Sequence, residues 1–125
     1  MARFLTAEWL EAMQRLAEKV EVPDDAAIVV AHEVSGTPDG DVRFRFAAGD
    51  GRLSLTWDTT EGADITLLQD YATAVAVARG ELPAQQAVAE GRLKLRGDVG
   101  ALVRNGPAMA ALGDLFRDVR DSTTY

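Results

Sequence analysis

The chain has 125 residues, enough for one hydrophobic core of ordinary size and too few for two. Thirteen Lys and Arg against twenty Asp and Glu give a net charge of −7, which argues against a general nucleic-acid binder and against charge-driven attachment to anionic membranes. With no cysteine, disulfides, thiolate metal sites, iron–sulfur clusters and a thiol nucleophile are excluded as well.

The first element is an amphipathic helix. Trp9, Leu10, Met13, Leu16, Ala17 and Val20 recur at helical spacing, Thr6 stands where an N-cap belongs, and Pro23-Asp24-Asp25 ends the pattern. Ala26 to Val34 is a β-branched run that predicts a central strand. Ser35 to Gly40 is dense in turn residues, so the strand is expected to stop there. Val42, Phe44 and Phe46 then alternate with charged residues. After Gly49-Asp50-Gly51, Leu53, Leu55 and Trp57 alternate with polar ones. These three strands read as an antiparallel meander, followed by a shorter strand through Ile65 and Leu67.

The second half changes period. Leu68, Tyr71, Ala72, Val75 and Ala78 predict a helix ending at Gly80, and Pro83 opens a short helix that runs to Gly91. Arg92 to Arg96 alternates strictly and predicts a fifth strand, broken by Gly97, with Asp98 as the next cap. Beyond the Asn105-Gly106-Pro107 interruption, Met109, Leu112, Phe116 and Val119 form an apolar stripe. One sheet with helices on a single face, an α+β architecture in a single domain over residues 1–125, is the expectation.

Constellations for catalysis are scarce. His32 is the one histidine, and a strand-end histidine that is hydrogen-bonded or partly exposed explains it better than a general base. Asp24-Asp25 and the acids between Asp58 and Glu61 lack the spacing of a calcium loop and read as solvated turns. Gly49-x-Gly51 leads into a strand and makes a hairpin rather than a phosphate cradle. Arg92, Lys94 and Arg96 read as an exposed face that discourages edge pairing. No metal, no cofactor and no enzymatic activity are expected. No run of about 18 apolar residues or secretory leader appears, so a soluble cytoplasmic protein is expected. Charge is uneven: residues 1–70 carry six basic and fourteen acidic side chains, a net −8, while residues 71–125 carry seven and six, a net +1.

The segment from Ile65 to Leu102 resembles the sterol carrier protein 2 family of non-specific lipid-transfer domains. The resemblance rests on Ile65-Thr66-Leu67, Gly80-Glu81-Leu82-Pro83, Gln85 and Ala87, and Gly91-Arg92-Leu93-Lys94-Leu95-Arg96-Gly97-Asp98, in that order. Two features depart from the family pattern: Val88 and Ala89 where an aromatic or Met is common, and the break at Asn105-Gly106-Pro107.

The resemblance implies a five-stranded, mainly antiparallel sheet with helices packed on one face, enclosing an apolar tunnel. It also implies a carrier that holds a fatty acyl chain, acyl-CoA, phospholipid or sterol-like ligand without catalysis. Candidate wall residues on the sheet are Phe44, Phe46, Leu55, Trp57, Leu67 and Leu95. On the helices they are Tyr71, Val75, Val88, Met109, Leu112 and Phe116, with Gln85 as a polar group at the mouth. The expected partner is an apolar small molecule or lipid, with no nucleic acid and at most transient membrane contact. The alternative is an accessory or homodimerisation module of the same fold without a ligand.

Overall fold

Thr6 accepts a hydrogen bond from the Trp9 N–H at 3.3 Å, and the helix it caps begins as expected. In the computed structural model, which describes residues 2–125, a two-residue strand β1 (Ala2–Arg3) precedes helix α1 (Ala7–Ala17). Trp9, Leu10, Met13 and Ala17 turn inward from α1. The Trp9 indole N–H reaches Thr123 Oγ1 at 3.2 Å, and that hydroxyl donates to the Val119 carbonyl at 2.7 Å. The two ends of the chain are thereby joined, and the C-terminal strand that pairs with β1 has no counterpart in the sequence pattern.

Strands β2 (Ile28–Thr37), β3 (Gly40–Gly49) and β4 (Arg52–Trp57) form the expected meander. The turn between β3 and β4 is the two-residue Asp50-Gly51, with φ of 54° and 76°, the double positive φ of a type I′ hairpin. Strand β2 is longer than predicted. Ser35 to Thr37 stay extended and Thr37 pairs with Gly40, so the turn shrinks to Pro38-Asp39.

The next strand, β5 (Ile65–Asp70), runs parallel to β2 on its other side. Leu68, expected in a helix, lies in β5 opposite Lys94, because the helix starts only at its cap. That cap is Asp70, whose carboxylate accepts from the Thr73 N–H at 2.8 Å and opens α2 (Tyr71–Ala78). This hydrogen bonding, first of all, holds the Asp70 carboxyl below its ordinary pKa.

Short helix α3 (Ala84–Ala89) follows, then strand β6 (Leu93–Gly97), antiparallel to β5. Gly97 has φ 114°, and a Cβ there would lie 2.4 Å from the Asp64 carbonyl, so no other residue fits this close approach. Asp98 caps α4 (Val99–Arg104), and Gly106 begins α5 (Gly106–Val119). A 3-10 turn (Arg120–Ser122) and β7 (Thr123–Thr124) finish the chain.

The sheet order is β4-β3-β2-β5-β6, with one parallel pair among antiparallel ones. One face carries Phe44, Phe46, Leu53, Leu55 and Ile65, all buried under the helices. The other presents exposed Arg43, Ser54, Thr56, Lys94 and Arg96. The core is therefore one layer between sheet and helices.

Candidate functional site

Cross-strand register divides the covered face of the sheet into rows. One row runs Leu55, Phe46, Val30, Ile65; the next Trp57, Phe44, His32, Leu67, Leu95; the next Val42, Val34, Gln69, Leu93. The first row is filled by side-chain packing, with Phe46, Leu55, Val30 and Ile65 no more than 2% exposed. Over the other two rows the helices stand off and leave a cavity of about 260 Å³.

Its sheet wall is Phe44, His32 and Leu67 with Val34, Gln69 and Leu93. Helix α2 contributes Ala74, Val77 and Ala78, and α5 contributes Met109, Leu112, Gly113 and Phe116. Phe4 and Leu5 close one end. Small side chains on α2 leave volume unfilled between the walls, so the space is a consequence of the alanines as much as of the aromatics. Ala84 and Gly113 are exposed and Arg120 is half-buried, so the cavity reaches the surface between α3 and α5. Its volume equals that of about nine waters at ~30 Å³ each. That suits one alkyl segment, and a bulkier ligand requires the walls to move apart.

Three polar side chains break the apolar lining. His32 is 8% exposed and its ring lies parallel to Phe44, with centroids 4.7 Å apart. Burial lowers its pKa from 6.5 to about 4, so the imidazole is neutral near pH 7. Neither His32 Nε2 nor Gln69 Oε1 has a hydrogen-bond partner among the described residues. Arg120 donates from Nε to the Ala78 carbonyl at 2.8 Å and lines the rim. The expectation of a strand-end, hydrogen-bonded or partly exposed His32 is corrected: with β2 running to Thr37, the residue sits mid-strand and buried.

A larger concavity of about 510 Å³ lies on the opposite face of the sheet. Glu33, Asp41, Arg43, Asp70, Arg92, Lys94 and Arg96 line it, and such ionised walls do not suit an apolar ligand. Among the described residues no group of three or more His, Asp or Glu side chains is placed to hold a metal ion. No helix there is long and apolar enough to cross a membrane.

Of the wall residues expected from sequence, Phe44, Leu67, Met109, Leu112 and Phe116 meet in the cavity. The other eight lie elsewhere. Phe46 and Leu55 are in the packed row, with Phe46 facing only a residual void of about 10 Å³. Trp57 is 38% exposed because edge strand β4 carries it past the helices. Tyr71, Val75 and Leu95 are half-buried and pack against the main core without lining the cavity. Gln85 and Val88 are exposed, since α3 turns Ala87 toward Leu82 and Leu93 instead. Sequence reasoning missed Phe4, Leu5, Val34, Gln69, Ala74, Val77, Ala78, Leu93 and Arg120. For Val34 and Gln69 the alternation of β2 and β5 was a usable signal; for Phe4 and Leu5 no periodic pattern marks them.

A family model described as the SCP-2 sterol transfer family matches residues 10–109. No curated protein sequence matches the chain. Among solved structures, a conserved hypothetical protein of Thermus thermophilus, described as possibly a sterol carrier protein, is similar with TM-score 0.69 and 21% identity. That match covers 100% of this chain and 93% of the other. A crystal structure of sterol carrier protein 2 is similar with TM-score 0.66 and 22% identity, over 94% of this chain and 98% of that one. The palmitated SCP2-like 2 protein of Aedes aegypti gives TM-score 0.59 and 16% identity, over 89% and 94%. At such identities the likeness to these structures is one of fold.

Proposed function

The chain belongs to the SCP-2 sterol transfer family, and on that premise we propose that it is a carrier holding one apolar chain in the cavity between sheet and helices, with no reaction performed. The observation that carries this reading is an interior space of about 260 Å³ bounded mainly by apolar side chains of the sheet, α2 and α5 and open at an arginine. Burying an alkyl chain yields about 0.8 kcal/mol per methylene, so eight to ten methylenes supply about 6–8 kcal/mol before association costs.

The Arg120 guanidinium at the rim supports a ligand with an anionic head, such as a fatty acid. A palmitated structure among the relatives agrees with that class. The absence of chemistry in this proposal is supported by His32, a lone neutral imidazole stacked among aromatic rings with no carboxylate bonded to it. A cytoplasmic place is part of the same proposal, as is only transient membrane contact, which the net charge of −7 supports.

Displacement of a fluorescent acyl probe tests it. Saturated fatty acids of eight to sixteen carbons are expected to compete with 1:1 stoichiometry. Failure of every chain length, with a stable dimer in solution, would favour an interaction module without a ligand.

A further inference from the structure

Apart from Arg120 at the rim, two polar side chains break the apolar lining of the cavity. His32 on β2 and Gln69 on β5 project from the same face of adjacent parallel strands, one row apart, and both line the cavity. Each keeps a buried polar atom, Nε2 of His32 and Oε1 of Gln69, without a hydrogen-bond partner among the described residues. Two such atoms lining one cavity are costly in a purely alkyl environment, because each loses hydration without replacement.

We infer that His32 and Gln69 form an inner polar subsite for a hydroxyl group carried on the apolar ligand. The inference rests on the carrier reading above and adds which functional group the interior takes. A hydroxyl both donates and accepts, so it can give its proton to Gln69 Oε1 while taking one from His32 Nε2–H. It also serves if the amide is turned over, accepting from the amide N–H₂ while donating to His32 Nε2 in its other neutral tautomer. An ionised carboxylate cannot donate, and it would place a charge among Phe44, Leu67, Leu112 and Phe116. Its natural station is Arg120 at the rim, while the inner subsite selects a neutral alcohol.

The test compares 1-decanol with nonyl methyl ether, which has a similar chain and an oxygen acceptor but no donor. Each competes with a fluorescent acyl probe on the wild-type protein, on Gln69→Leu and on His32→Phe. The alcohol should bind about tenfold more tightly than the ether to wild type, the ratio that follows when one buried acceptor goes unsatisfied. In Gln69→Leu the ratio should fall to about one, and His32→Phe should weaken the alcohol. Equal affinities of alcohol and ether for the wild-type protein would overturn the subsite while leaving the carrier reading intact. If neither compound nor any acyl probe binds, both fall together. The wild-type comparison decides even if a variant folds poorly.

Discussion

His32 and Phe44 face each other across β2 and β3, their rings 5° from parallel and 4.7 Å apart, on the wall of the cavity. Burial at this place holds the imidazole neutral by keeping water away, and it makes stability depend on pH. The folded pKa of about 4 lies below the unfolded value of 6.5, so between these values the unfolded chain binds more protons. Stability from this group is full above pH 6.5 and is lost as pH falls through about 4. From pH 7 to 4 the wild-type protein should lose about 3 kcal/mol more than His32→Phe. Urea unfolding at the two pH values checks it; parallel losses would place the imidazole in water.

Leu112 faces both the cavity between sheet and helices and the small void beside Phe46. Leu112→Ala should cost about 2–5 kcal/mol in the empty protein, because α5 cannot collapse onto the sheet. Saturating acyl ligand should restore part of that loss, since the chain fills the vacated space. Thermal unfolding with and without a fatty acid measures both, and an equal ligand-induced shift in wild type and variant would refute it.

Arg120 is the cation on the cavity rim. Arg120→Met should weaken fatty acids about tenfold and change alcohols of the same length by less than about twofold. Gln85→Ala, on the exposed side of α3, should leave both unchanged. Competition binding at two salt concentrations reads the difference, which should shrink at higher salt.

Asn105 ties the break between α4 and α5 to the start of β2. Its Oδ1 accepts from the Ala27 N–H at 2.9 Å, and its Nδ2 donates to the carbonyls of Ala27 at 3.3 Å and Ala101 at 2.9 Å. The interruption at Asn105-Gly106-Pro107 is therefore clamped to the sheet. Asn105→Ala should cost about 1–3 kcal/mol and speed ligand exchange, because the start of α5 would lose its hydrogen-bonded tie to β2. Stopped-flow release of a fluorescent acyl chain, with denaturation in parallel, gives both values. An unchanged release rate would show that α5 does not gate entry.

The strand pattern and the family resemblance lead to the fold because alternation and turn chemistry act locally. Alternation says which face a residue takes, and it puts Phe44, Phe46, Leu55 and Leu67 on the covered face, where the structure has them. It does not say how far along the sheet a residue sits. That depends on the register of β2 against β3 and β5, which puts Phe46 under packed helices and Phe44 over open space. Helix α2 poses a different difficulty: nearly every position from Tyr71 to Ala78 is apolar, so periodicity fixes no face. Ala74, Val77 and Ala78 line the cavity, while Tyr71 and Val75, within one turn of them, pack on the core beside it. The N-terminal cover of Phe4 and Leu5 depends on the β1–β7 pairing of the two chain ends, a contact spanning almost the whole sequence.

Native mass spectrometry of the purified full chain tests the carrier function most directly. One adduct of lipid mass per protein is expected, exchangeable for added fatty acid and lost in a Gly113→Trp variant whose side chain would occupy the cavity. A wild-type protein that carries no adduct and takes up no acyl chain would contradict it.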